Sequence, residues 1–194
     1  MEGGRGGGDG EANVMRSEFV DTTAFEQLTC DENGKAQLTF TLPDNITDWR
    51  ITAAAMKGKT AGDNIGHAIS SKPFYLLPLV TESYLTEDDL TAAVGYSTSQ
   101  QQTGQPVNCT VSLLDLSGTV LDSKQVTLSK SKKSGVNFGK QPQGSYQILF
   151  DATAGEYSDM VLLPVQVNPT NRETTLAHSV SLEELTKLES VRYP

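Results

Sequence analysis

Two cysteines, two histidines and a single tryptophan in 194 residues leave little material for a metal centre or a redox pair. Cys30 and Cys109 belong to no CxxC pair and no Cys/His cluster. One long-range disulfide is open to them, but two separate buried thiols are the preferred reading, because free cysteine packs as a small hydrophobe. No apolar run approaches the roughly 20 residues that cross a bilayer as a helix. The first residues are Gly-rich and charged, so no signal peptide is expected in this chain. A formal net charge of −9 argues against nucleic acid or an anionic membrane surface as the main partner. HExxH, GxSxG and a nucleotide-binding Gly-rich loop after a strand are all missing. An enzyme is therefore the least favoured class. No catalytic residue, cofactor or metal ligand is assigned.

What the sequence does contain is strand after strand. The segment from Met1 to Asn13 carries six glycines in its first ten residues and cannot bury enough apolar area to offset its ordering, so 1–15 is expected to be a flexible arm. Ala36 to Leu42 sets Leu38, Phe40 and Leu42 against Gln37, Thr39 and Thr41, the period-2 pattern of a half-buried strand. Asn33-Gly34 before it is a turn signal. Ile46 to Met56 reads as a strand, Gly58 to Gly66 as a loop and Ile65 to Ser71 as a short strand. Lys72-Pro73 marks a boundary. Beyond it strands are expected at Phe74–Val80, Leu90–Tyr96, Val107–Leu114, Val120–Leu128, Val136–Phe138, Tyr146–Asp151 and Met160–Val167. About seven strands in ~100 residues, separated by turn residues, suit an Ig- or fibronectin-like antiparallel β-sandwich. The division expected is a β-rich half-domain at 16–72, a complete sandwich at 73–168 and a tail at 169–194. In that tail Thr174 to Val180 could be another strand, and Ser181-Leu182-Glu183-Glu184 could cap a short helix.

Residue by residue, the polar groups favour bland roles. His67 and His178 lie far apart and form no base–nucleophile pair in the pattern. Glu87-Asp88-Asp89 offers three acids where calcium needs about six oxygen ligands, so a solvated corner is preferred. Lys130, Lys132 and Lys133 read as a solvated hairpin tip. Asn45-Ile46-Thr47 and Asn108-Cys109-Thr110 match the glycosylation sequon, which matters only in a eukaryotic secretory context.

One stretch is specific enough to point to a family. Arg16-Ser-Glu-Phe-Val-Asp-Thr-Thr-Ala-Phe25, then Asp31-Glu-Asn-Gly-Lys-Ala36, then Phe40-Thr-Leu-Pro-Asp-Asn-Ile-Thr-Asp-Trp-Arg50, resembles the alpha-2-macroglobulin family, in particular its bacterial members. The likeness continues at Lys72-Pro-Phe-Tyr-Leu-Leu-Pro78 and Tyr84-Leu-Thr-Glu-Asp-Asp89. The resemblance implies macroglobulin-like domains next to a bait segment: a target protease cuts the bait, the surrounding sandwiches rearrange, and the protease is caged. Residues 16–72 would then be the second half of a domain that the bait interrupts. Phe25 stands where many relatives carry Trp. The family's thioester motif Cys-Gly-Glu-Gln is absent, since Cys30 is followed by Asp31-Glu32 and Cys109 by Thr110-Val111. No covalent capture is therefore assigned.

The function implied is a non-catalytic structural part of a broad-spectrum protease inhibitor. Target proteases, met through the full-length protein, and neighbouring domains of the same polypeptide would be its partners. Any membrane contact would run through parts outside this chain. The setting implied is extracellular, periplasmic or at the cell surface. The alternative is an Ig-like surface module for carbohydrate or adhesion, which would present exposed aromatics such as Tyr84, Tyr96 or Tyr157.

Overall fold

Alternation in the second half of the chain dictates two facing layers, and a computed structural model describes them through residues 15–99, 106–130 and 132–170. The strands are β1 (Met15–Arg16), β2 (Asp48–Lys57), β3 (Thr60–Ile69), β4 (Phe74–Val80), β5 (Ser83–Leu85), β6 (Asp89–Thr98), β7 (Val107–Asp115), β8 (Val120–Leu128), β9 (Ser134–Lys140), β10 (Gly144–Ala154) and β11 (Tyr157–Asn168). One sheet runs β1-β11-β10-β7-β8, with β5 also on β11; the other runs β4-β6-β9. The two sheets lie face to face, with β11 against β4 on one side and β8 against β9 on the other. This is an all-β, Ig-like sandwich.

The core is the sum of the inward parities. Val107, Cys109, Val111 and Leu113 of β7 lie beside Tyr146, Ile148, Phe150 and Ala152 of β10, in the register Ile148↔Leu113 and Phe150↔Val111. Opposite them sit Phe74 and Leu76, then Leu90, Val94 and Tyr96, then Val136 and Phe138. The Phe74 and Tyr96 rings meet at 5.8 Å between centroids. Each fully buried Val, Leu, Ile or Phe contributes roughly 1.5–3 kcal/mol relative to exposure, so this layer holds the sandwich together. All ladders within it are antiparallel. The parallel pairings of β1 and β5 onto β11 are additions that periodicity did not announce.

The region before the sandwich departs from expectation in two places. Ala36–Leu42 is not a strand: it is irregular, and Leu38, Phe40 and Leu42 are exposed. Alternation creates a strand only when a neighbour takes its ladder hydrogen bonds, and none does so here among the described residues. The predicted Gly58–Gly66 loop is instead a two-residue turn, Gly58-Lys59, followed at once by β3. Gly58 adopts φ 61°, the left-handed geometry that lets a hairpin reverse this tightly. β2 and β3 form a separate two-stranded sheet, paired from Asp48↔Ile69 to Lys57↔Thr60. Most of the expected arm (1–14) and of the tail (171–194), including His178 and the Ser181–Glu184 cap, lie outside the described residues.

Candidate functional site

The parity of β11 points Asp159 inward with Val161, Val165 and Val167. Asp159 is only 1% exposed, and a carboxylate so placed must be paired. Its partners come from three other segments. β1 lies parallel to β11 in the register Met15↔Met160 and Arg16↔Val161. From there the Arg16 guanidinium forks onto the carboxylate, with Nε 3.0 Å from Oδ1 and Nη2 2.6 Å from Oδ2. Lys72 Nζ donates to Oδ1 at 3.1 Å, and the Leu76 N–H donates to Oδ2 at 2.8 Å. Arg16 Nη2 also donates to the Leu76 carbonyl at 3.1 Å. The pair thus satisfies both backbone groups of Leu76 on the side of β4 that, among the described residues, no strand pairs with. Two residues on, Pro78 has no N–H to leave bare on that edge.

Electrostatics follow from this shell. Burial, the largest single influence, pushes the Asp159 carboxyl up. The Arg16 hydrogen bonds, the Leu76 N–H, the Arg16 charge and the Lys72 hydrogen bond together outweigh it and hold the group below its ordinary value. The carboxylate stays ionised with both oxygens occupied. It can anchor chain segments, but it has no open lone pair aimed at a substrate.

A second aspartate extends the arrangement. Asp44 Oδ2 accepts from the Ser17 and Glu18 N–H groups at 2.8 and 2.9 Å, and its own N–H donates to the Glu18 carbonyl at 2.8 Å. The Asn45 side chain accepts from the Val20 N–H at 3.1 Å. The Ser70 N–H donates to the Thr47 carbonyl at 2.9 Å, and Trp49 Nε1 donates to Ser70 Oγ at 3.2 Å. Segments 16–18, 44–47 and 70–72 therefore meet in a circuit of contacts closed by Asp159. This circuit is the neck of a chain excursion, residues 17–71, that leaves the sandwich at Arg16 and returns at Lys72. A groove of about 390 Å³ beside the neck is bordered by Pro73 and by hydroxyl-bearing residues (Ser71, Tyr75, Ser97, Thr98, Ser99), and its lone charged residue, Lys72, is turned to Asp159.

The residues singled out from sequence are scattered by the fold. His67 sits on β3, exposed, with Nδ1 3.1 Å from both oxygens of Asp48 across the hairpin. Cys109 is buried and Cys30 exposed, and both are free thiols, so the reading of two buried thiols is corrected for Cys30, which lies on the surface of the irregular 17–47 segment. Glu87 pairs with Lys140 at 2.8 Å, Asp88 accepts from the Leu85 N–H, and Asp89 accepts from Asn137. Among the described residues no three His, Cys, Asp or Glu side chains gather as a metal site. Asn45 and Asn108 both use their side-chain oxygens as acceptors, from Val20 and Thr127. Tyr84 and Tyr96 are buried, and Tyr84 donates to the Thr91 carbonyl. Sequence reasoning missed the neck. Its signal was an acid at an inward position of β11, hidden because the expected strand began at Met160, three residues after β11 does.

The sequence profile of the alpha-2-macroglobulin family matches residues 22–111. This stretch belongs to that family. An alpha-2-macroglobulin homolog of Nostoc sp. is 27% identical over 180 residues, covering 86% of this chain and 9% of that protein. Alpha-2-macroglobulin of Thermotoga maritima is 30% identical over 99 residues, covering 51% of the chain and 6% of that protein. The structure of Escherichia coli alpha-2-macroglobulin activated by porcine elastase aligns with a TM-score of 0.43 at 14% identity, over 66% of this chain and 15% of that one. The chain thus spans under a tenth of the length of the two sequence relatives. Of the neck residues, Asp44 and Lys72 fall inside the alpha-2-macroglobulin match and Arg16 and Asp159 outside it.

Proposed function

We propose that the chain is a non-catalytic structural segment of an alpha-2-macroglobulin-like, broad-spectrum protease inhibitor. In this reading 73–168 is a complete macroglobulin-like sandwich. Residues 16–72 are the later part of a second domain, completed by strands from elsewhere in the polypeptide. The observation that carries it is the state of the excursion: within the family match, Met56 and Ile69 are 80% and 74% exposed, and the hairpin pairs with neither sheet. An uncovered two-stranded sheet is marginal in water and suits a half awaiting its other layer. The partners are then target endopeptidases and neighbouring domains, and the setting is extracellular, periplasmic or at the cell surface. Burial of Tyr84 and Tyr96 weighs against a carbohydrate-binding surface built on them.

The test uses the polypeptide that contains this chain, incubated with endopeptidases of several catalytic classes. Digestion of a protein-sized substrate should fall while a small peptide substrate is still hydrolysed. Unchanged digestion with every class would sink the reading, and reproducible hits on a glycan array would favour adhesion instead.

A further inference from the structure

Two cations from opposite ends of one excursion converge on a single buried carboxylate. Arg16 precedes the first residue of the 17–71 excursion and Lys72 follows its last, yet both donate to Asp159, which the sandwich supplies from β11. Within the excursion, Asp44 gathers the Ser17 and Glu18 amides, and Thr47 meets Ser70. Tension applied to the chain at residue 16 therefore has two polar routes to the base of the hairpin, one through Asp159 to Lys72 and one through Asp44 to Thr47 and Ser70.

We infer that Asp159 is a non-covalent staple that fixes the excursion to the sandwich, so that displacement of β1 releases the hairpin as a body. Three observations carry this beyond ordinary stabilisation. The apolar core is complete without Arg16, Lys72 or Asp159. Well-packed apolar residues would serve sandwich stability as well as a buried ion pair does, whereas a forked guanidinium fixes direction and register. Withdrawal of Arg16 also strips the Leu76 carbonyl and half the Asp159 shell together. A withdrawn arginine leaves the buried carboxylate with only the Lys72 and Leu76 donors, so positions between closed and open are disfavoured. It holds whether or not the chain serves in a protease trap.

The experiment measures orientation separately from stability. In the full chain carrying Cys30→Ser, spin labels go on Ala54→Cys in β2 and Gln125→Cys in β8, both exposed positions. Electron–electron double resonance should give one narrow distance distribution for the parent. Asp159→Asn and Arg16→Met should widen it at least twofold while the β7 and β10 amides stay protected. Should those two variants fail to fold, Lys72→Met leaves the Arg16–Asp159 fork in place and should widen the distribution about 1.5-fold. A broad distribution in the parent, or an unchanged width in every folded variant, even one with a lowered Tm, overturns the staple.

Discussion

Cys109 faces the core from β7, and burial, the largest influence, pushes its thiol up to about 12; a backbone hydrogen bond at Asp151 works against this and the Asp151 charge adds to it. The neutral thiol thus favours the fold below its ordinary value of 9.0, and that contribution is lost as pH rises from there toward 12. With Cys30 exposed, thiol titration at pH 8 should count one reactive group in the native chain and two in guanidinium; two fast native groups would contradict the burial of Cys109. Asp159 carries the opposite sign. Its native value lies below the unfolded one, about 3.9, so its contribution is present above pH 4 and lost as pH falls through the native value. Arg16→Ala should cost about 3–5 kcal/mol in urea unfolding at pH 7, because it strips the forked pair from a buried carboxylate and leaves it only Lys72 and the Leu76 N–H. That deficit should shrink at pH 2–3, where protonation removes the stranded charge; a deficit independent of pH would show that packing, not charge, was lost. Asp159 was legible in principle, as an acid in phase with Val161, Val165 and Val167. Arg16 was not, because its partner lies 143 residues away and no local pattern links them.

At the level of elements, the longer strands with a buried face were all located: β4 and β8 match their expected bounds, β7 differs by one residue, and β6, β9, β10 and β11 run one to three residues past theirs at each end. The reason is physical, since an inward parity imposed by a facing sheet is written into the strand itself. β1 and β5 are two and three residues long, too short for any period to show. Ala36–Leu42 shows the converse, a sound alternation with no neighbour to complete it. Phe150, at the centre of β10 and fully buried between Val111 and Val161, should cost about 3–5 kcal/mol when changed to Ala. Gly155, which turns β10 into β11 at φ 64°, should cost roughly 1–2 kcal/mol when changed to Val, since that geometry crowds a Cβ against the following carbonyl. Urea midpoints measure both, and an effect below 0.5 kcal/mol at either site would contradict the role given to it here.

Across the whole molecule, stability is concentrated in one part. The sandwich buries its apolar face between two sheets, whereas the β2–β3 pair is open on both faces. In a monomeric sample its amides should exchange at least 100-fold faster than those of β7 and β10, and equal protection would require a covering layer that the described residues do not supply. The outer flank of β11 adds a final asymmetry. Ser83–Leu85 occupies it at Gln166–Asn168 and Met15–Arg16 at Met160–Val161, and the run between the two is Leu162 to Val165, with Pro164 among them. A foreign chain aligning there would find roughly 13 Å of ladder, interrupted by a proline, which is too little to seed a fibril. If concentrated solutions do form amyloid, the protease-resistant kernel should map to the hairpin Asp48–Ile69 around Gly58 and spare this rim.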